Sequence, residues 1–449
     1  MTDQSSVSPA DRPIDRSTEL LDRAREAIPG AAQTGSKSPA QFVQGVSPTH
    51  LERGEGCRVW DVDGNEYIDT IMGLGPNMLG HNYPRVTEAV REQIEKGTAF
   101  SMPNPLQVEV AELIIETVPC AEMVRFGKNG NDVTTLAAKL ARAHTGRDVI
   151  ATQGYHGWPD VFMSATDALD AGIPPAVGDY TESFEYNDVE SLERIFDDHP
   201  GDVAAIVTTA VNTTAPEDDF VQRMREIADR EDALLVFDEI LTGYRLALGG
   251  AQEHFGVTPD LACFAKGISN GYPLSALAGR EDVMRTMEDG DFFFSMTYAG
   301  EAASLAAAKA AITEQIEQGD VHEHLWRQGQ AIRDGYNDLA VEHGVDHLTD
   351  AAGMGPRIST NFRDADAAGA SANALESLFM QEAHRGGVLF TGNHLPSYSH
   401  SDADIEEMLA VYDDAMAELA DAVDAGEVES RLDGKPVGAS LRERLGEEE

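Results

Sequence analysis

From about residue 120 to residue 280, short apolar β-rich runs alternate with helical stretches, and this alternation limits the possible folds more than any other feature of the chain. A strand that is apolar on both sides must be covered on both faces, so such a pattern describes a parallel sheet sandwiched between helices. The strand candidates are Met123 to Phe126, Asp148 to Thr152, Val203 to Val211, Ala233 to Phe237, Leu261 to Phe264 and Ser275 to Ala278. Helices are predicted over Asp132 to His144, where Val133, Leu136 and Leu140 mark one apolar face, and over Phe220 to Arg230. The fold class is therefore α/β, with this lobe as its larger part.

The flanks read differently. Residues 1–16 lack hydrophobic periodicity and are expected to form a disordered tail, after which Leu20, Leu21, Ala24 and Ile28 take helical spacing up to Pro29-Gly30. Cys57 to Asp69 alternates apolar and polar residues around Asp63-Gly64, the pattern of a β-hairpin. Its carboxylates do not make a calcium loop, because the sixth position of an EF-hand requires glycine and Glu66 stands there. Beyond about residue 320, helical stretches, a β-like Arg357 to Phe362 and an amphipathic run from Asp402 to Val423 suggest a smaller α+β lobe. The expected division is an N-terminal segment 17–70 packing with the small domain, a large domain 71–319, a small domain 320–430 and an acidic tail 431–449.

Composition then excludes partners. With 79 acidic residues against 33 basic ones, a formal charge of -46 repels nucleic acid and anionic membrane surfaces. Acidity of this degree, spread along the whole chain, is read as a halophilic surface, an ordinary acidic cytosolic protein being the alternative. Cys57, Cys120 and Cys263 are odd in number and widely spaced, which supports neither a disulfide framework nor a zinc site. No metal is expected. No apolar run approaches the roughly 20 residues that span a bilayer, and residues 1–13 lack the apolar core of a signal peptide. A cytoplasmic enzyme without a membrane partner is expected.

Open α/β sheets bind ligands beyond the carboxyl ends of their strands. One apolar run ends in Asp238-Glu239 and another in Lys266. Of seven lysines in the chain, Lys266 alone closes a wholly apolar strand. Burial disfavours an ammonium, and the neutral amine is the nucleophile that a Schiff base requires. Asp238 would suit a pyridine nitrogen, which stabilises a carbanion best when protonated. A structural ion pair between Lys266 and Asp238 is the competing reading. Asn129, Gly130 and Asn131 lie in a glycine-containing turn between a strand and a helix, as a phosphate cup would. Tyr155, with its neighbour His156, follows another strand and offers an aromatic face to a flat ring. Motifs for nucleotides, zinc proteases and serine hydrolases are absent from the sequence.

With these residues in place, the chain resembles the class III, fold-type I aminotransferases that use pyridoxal 5′-phosphate (PLP), in particular the branch containing glutamate-1-semialdehyde 2,1-aminomutase. The resemblance runs from about residue 17 to 425 through Trp60 to Gly64, Leu79 to Pro84, Ala141 to Arg147, Gly154 to Gly157, Phe237 to Glu239, Pro259 to Leu261 and Lys266. It implies a large domain with a mostly parallel seven-stranded sheet and a smaller α+β domain. It also implies a Schiff base at Lys266, Asp238 against the pyridinium, Tyr155 on the ring, and the cofactor phosphate on Asn129, Gly130 and Asn131. Thr297 matches a hydroxyl that reaches the phosphate from the neighbouring subunit, so a homodimer with shared sites is expected.

Departures bear on substrate. Thr208-Thr209 stands where many relatives carry Glu-Pro, and the cup reads Lys-Asn-Gly-Asn rather than Asn-Ser-Gly-Thr. Aminomutases carry a carboxylate shortly before a Ser-x-x-His motif, matched here by Ser397 to His400, yet none lies between Glu382 and Asp402. That favours a transaminase with a separate small-molecule amino donor and carbonyl acceptor over an intramolecular mutase; a PLP-fold protein that binds without catalysis is the remaining alternative. Arg357 and Arg245 are candidates for a substrate carboxylate. If the acidity is a salt adaptation, the thermal midpoint of the purified protein rises as potassium chloride is added; a flat or falling midpoint would remove that reading.

Overall fold

The computed structural model describes residues 12–166, 169–217, 219–365, 367 and 369–438. These form two compact units. One takes the described residues up to Leu74, with Leu79–Asn82 and the chain from His324 onward; the other takes Gly75–Met78 and Tyr83–Glu323.

In the first unit, β1 (Leu51–Glu55), β2 (Arg58–Asp61) and β3 (Glu66–Asp69) form an antiparallel trio. The turn between β2 and β3 is the expected one, with Gly64 at φ +92°. Its carboxylates are taken by backbone: Asp61 accepts the N–H groups of Asp63 and Asn65, and Asp63 those of Arg16 and Ser17. The helix that those last two residues begin to build spans Asp15–Ala27, so order starts inside the expected tail; residues 1–11 of that tail lie outside the described residues.

The second unit is built on seven strands: β4 (Met123–Gly127), β5 (Val149–Gln153), β6 (Thr181–Ser183), β7 (Val203–Thr208), β8 (Leu234–Asp238), β9 (Leu261–Phe264) and β10 (Ser275–Gly279). Their order is β4-β10-β9-β8-β7-β5-β6. Only β10 runs against its neighbours, pairing antiparallel with both β4 and β9, so the other six point the same way. Every residue of β5, β7, β8, β9 and β10 is buried, which is why these strands read as continuous apolar runs. Val133, Leu136 and Leu140 of the helix Gly130–Thr145 pack with Ile150, Val207, Val236 and Leu277 in one core. Asp260, 4% exposed, ties β8 to β9 by accepting the Leu235 N–H and pairing with Arg225 and Arg280.

Back in the first unit, β11 (Thr349–Met354), β12 (Arg357–Phe362) and β14 (Asn393–His394) form a second small sheet, while β13 (Val388–Leu389) joins β3 in parallel. Tyr336, Phe379, Phe390 and Tyr412 make an aromatic core between the helices Ala372–Gly386 and Asp402–Ala425. The start of the expected acidic tail is packed rather than loose: Val437 is buried and its N–H donates to Ser377 Oγ, because the chain bridges back to Gln44 at Lys435. Residues 439–449 of that tail lie outside the described residues. No described helix is long and apolar enough to cross a membrane.

Three histidines are sealed in this unit. His384 bonds Ser47 Oγ and the Phe390 carbonyl, His394 bonds the Tyr412 hydroxyl, and His400 Nδ1 accepts the Ser397 N–H. Burial pushes their pKa values down to about 4, 3 and 4 respectively. In the unfolded chain each takes up a proton near pH ~6.5, so below that pH the unfolded state binds more protons and stability falls until the folded values are passed. Thermal melts should show the midpoint falling steadily between pH 6.5 and 4; replacing His394 with Gln should flatten that slope.

Candidate active site

Since six strands run in one direction, the carboxyl ends of β4, β5, β7, β8 and β9 share one edge of the sheet, where the candidate residues lie. After β4 the chain passes Lys128 and Asn129 into the helix beginning at Gly130. The Asp132 carboxylate turns back to accept the N–H groups of Lys128 (3.0 Å) and Asn129 (2.6 Å). The next two amides, of Gly130 and Asn131, have no acceptor within the helix and sit at its positive end, which makes them donors for an anion. A Cβ at 130 would lie 2.4 Å from Ile240 Cδ1, just beyond β8, so glycine lets the helix start close to that turn without shifting the isoleucine.

The turn after β5 closes over this cup. Gly157 adopts φ +109°, and a Cβ on it would lie 2.7 Å from Asn131 Cβ. Thr134 Oγ1 donates to the His156 carbonyl (2.8 Å), fastening the turn to the helix. Tyr155 stays 47% exposed, its ring free to be covered, whereas His156 is buried.

His156 joins the turn to β8. Its Nδ1 is 2.7 Å from Asp238 Oδ2 and its Nε2 is 2.9 Å from the Gln153 carbonyl oxygen. The ring thus has an acidic partner on one nitrogen and a backbone carbonyl on the other, and the two contacts fix its orientation. Asp238 Oδ1 accepts the Ile240 N–H at 3.0 Å. The adjacent Glu239 faces the other way: fully buried, it accepts the N–H groups of Ala251 and Gln252 and the Thr242 hydroxyl, and burial pushes its pKa up. Glu239 anchors the strand end and leaves Asp238 as the carboxylate of the site.

Lys266 stands just beyond β9, the neighbour of β8, three residues past Cys263, which pairs with Asp238. Its φ is +45°, the left-handed region that costs a non-glycine residue about 1 kcal/mol and persists only where surroundings hold it. They do so here: Lys266 is half-buried, and Gly267, Ile268 and Ser269 after it are buried. At the end of β7, Thr208 donates to Gln153 Oε1 (3.1 Å), a neutral pair.

The remaining candidates lie on other segments of the chain. Thr297 is exposed, in the segment leading to the helix Ala302–Gln318. Arg245 is 1% exposed and donates to the Gly75 carbonyl, so it serves the unit's interior. Arg357 opens β12 in the other unit. Sequence periodicity placed Asp238 and Lys266 but carried no signal for the bond between His156 and Asp238, which joins residues 82 apart.

The family model for class-III aminotransferases matches residues 42–416. The glutamate-1-semialdehyde 2,1-aminomutase of Halorubrum lacusprofundi is 33% identical, over 90% of this chain and 99% of its own. The 3-aminobutyryl-CoA aminotransferase of Cloacimonas acidaminovorans is 32% identical, over 90% and 97%. Among solved structures, the PLP internal aldimine form of the FumI protein from Sphingopyxis sp. MTA144 superposes with a TM-score of 0.83 at 28% identity, covering 94% of this chain and 99% of that one. In Gly157→Ala, the added methyl meets Asn131 in a backbone conformation that disfavours it, at a cost of about 2 kcal/mol. PLP titration should show weakened binding with the melting midpoint lowered; unchanged binding would mean that the turn does not shape the cup.

Proposed function

Because the chain belongs to the class-III aminotransferases, enzymes that depend on PLP, we propose that it passes an amino group from a donor to a separate carbonyl acceptor, with Lys266 as the cofactor's covalent attachment point. Asp238 carries this reading: a carboxylate 5% exposed, with His156 on one oxygen and the Ile240 amide on the other, on the strand next to Lys266. The residues present fit the cofactor, with amide donors for a phosphate, an open aromatic face for a ring, a carboxylate for its nitrogen and an amine for its aldehyde. When bound, PLP supplies an electron sink for the substrate carbon.

The protein's part is to hold and move protons. Asp238, oriented by His156, would hold a proton on the ring nitrogen. Asn129, Gly130 and Asn131 fix the phosphate end, and Tyr155 covers one ring face. Lys266 would be the base that takes the proton from the substrate carbon and returns it one position away.

A homodimer completes the site in this reading, with Thr297 reaching the partner's cofactor phosphate. Its support is an apolar surface. Phe100, Met102, Val108, Phe293 and Tyr298 are each at least half exposed. The segments bearing them are joined by the Ala302 N–H to the Thr98 carbonyl (2.8 Å) and by Gln107 Nε2 to the Gly300 carbonyl (3.0 Å). A surface of this kind calls for a partner, and a second copy supplies the reciprocal Thr297. We place the enzyme in the cytoplasm, with its acidic surface suited to concentrated salt.

The absence of a carboxylate between Glu382 and Asp402 supports two substrates rather than one. Borohydride reduction of the PLP-loaded protein should label Lys266, and Lys266→Ala should lose the label together with about a thousandfold of turnover. Turnover should require an added amino donor. Isomerisation of one amino aldehyde without a donor would make the enzyme an aminomutase, and an unlabelled Lys266 would remove both activities.

A further inference from the structure

Basic side chains are rare here, with 33 lysines and arginines in 449 residues, yet three of them converge on the short segment that carries Thr297. Lys128, at the mouth of the phosphate cup, places Nζ 2.7 Å from Glu301 Oε1 and 3.1 Å from Ser304 Oγ. Lys139, on the helix that begins at the cup, donates to the Phe293 carbonyl (2.7 Å) and lies 4.8 Å from the Phe292 ring centroid. Arg125 of β4 donates to the Phe294 carbonyl at 3.2 Å.

Lys128 and Glu301 form the most sheltered of these contacts, at 21% and 13% side-chain exposure. Glu301 also caps the helix Ala302–Gln318, accepting the N–H groups of Ala303 and Ser304 at 2.9 Å each. Although its burial works in the opposite direction, Lys128 and Ser304 hold the Glu301 carboxyl below its usual range. The unusual lysine in the cup is therefore matched by a specific carboxylate 173 residues away, four positions beyond Thr297. A structural helix cap alone does not require that lysine.

We propose that Lys128 is a positioning residue, and that its ion pair with Glu301 couples the phosphate cup of one subunit to the Thr297 segment it lends to the other. The inference rests on the cofactor-site reading above. Phosphate bound on Asn129, Gly130 and Asn131 restrains the adjoining Lys128, and through Glu301 restrains the segment. Thr297 then meets the partner's cofactor with part of its ordering cost already met, so occupancy of either site favours the other.

The test titrates the apo-dimer with PLP and, separately, with pyridoxal, which lacks the phosphate. Wild-type PLP binding should be sigmoidal. Lys128→Met and Glu301→Gln should each weaken PLP about tenfold and make the curve hyperbolic, with the double variant no worse than either. Pyridoxal affinity should be unchanged in both, and Lys128→Arg should behave as wild type. Glu301→Gln is decisive. If Lys128 acted only as a charge near the phosphate, releasing it from Glu301 would strengthen PLP binding, which would overturn the proposal, as would equal losses for PLP and pyridoxal or a hyperbolic wild-type curve. Lys266 labelling separates the two levels: a labelled lysine with no effect at Glu301 sinks the coupling alone, and an unlabelled one sinks the cofactor site itself.

Discussion

A carboxylate removed from water costs several kcal/mol unless charges and donors replace the lost solvent, and Asp238 is removed almost entirely. Its replacements come from separate parts of the chain: an imidazole from the turn after β5 and an amide from the turn after β8. Each brings its own dependents. His156 needs the Gln153 carbonyl and the Thr134 hydroxyl to stay in place, and the turn carrying it needs glycine at 157 to pass Asn131. The cup, the aromatic face and the carboxylate are thus positioned together, and disturbing one of them moves the others.

The sheet was largely legible because its strands are buried on both faces, which leaves unbroken apolar runs in the sequence. Leu261 to Phe264 is the clearest case, with the observed strand matching the expected one. β6 escaped notice because three residues, Thr181 to Ser183, on the sheet's edge and only partly buried, carry no periodicity. Lys266 and Asp238 were legible as polar residues ending apolar runs. The partnerships of His156 with Asp238 and of Lys128 with Glu301 were not, since each joins distant segments whose encounter is decided by strand order. Both ends of the chain were read as tails on composition alone, yet Arg12 donates to the Glu66 and Arg385 carbonyls and Val437 is buried.

The charge imbalance gives each cation added weight. Most ion pairs here involve exposed side chains, which contribute little and are screened by salt. Lys128 with Glu301 and Asp260 with Arg225 are sheltered, and they hold the cup segment and the β8-β9 pair. In a protein of this charge, the sheltered pairs are those that would keep their geometry in brine.

The first unit is assembled from both ends of the chain. Thr70 donates its hydroxyl to the Leu389 carbonyl, 319 residues later, and β3 finds β13 at the same place. A ribosome adding about 10 residues per second needs roughly half a minute to make that partner. For this interval the hairpin strands emerge with an unpaired edge while the seven-stranded sheet is being synthesised between them. The earliest-made strands are thus among the last to be secured.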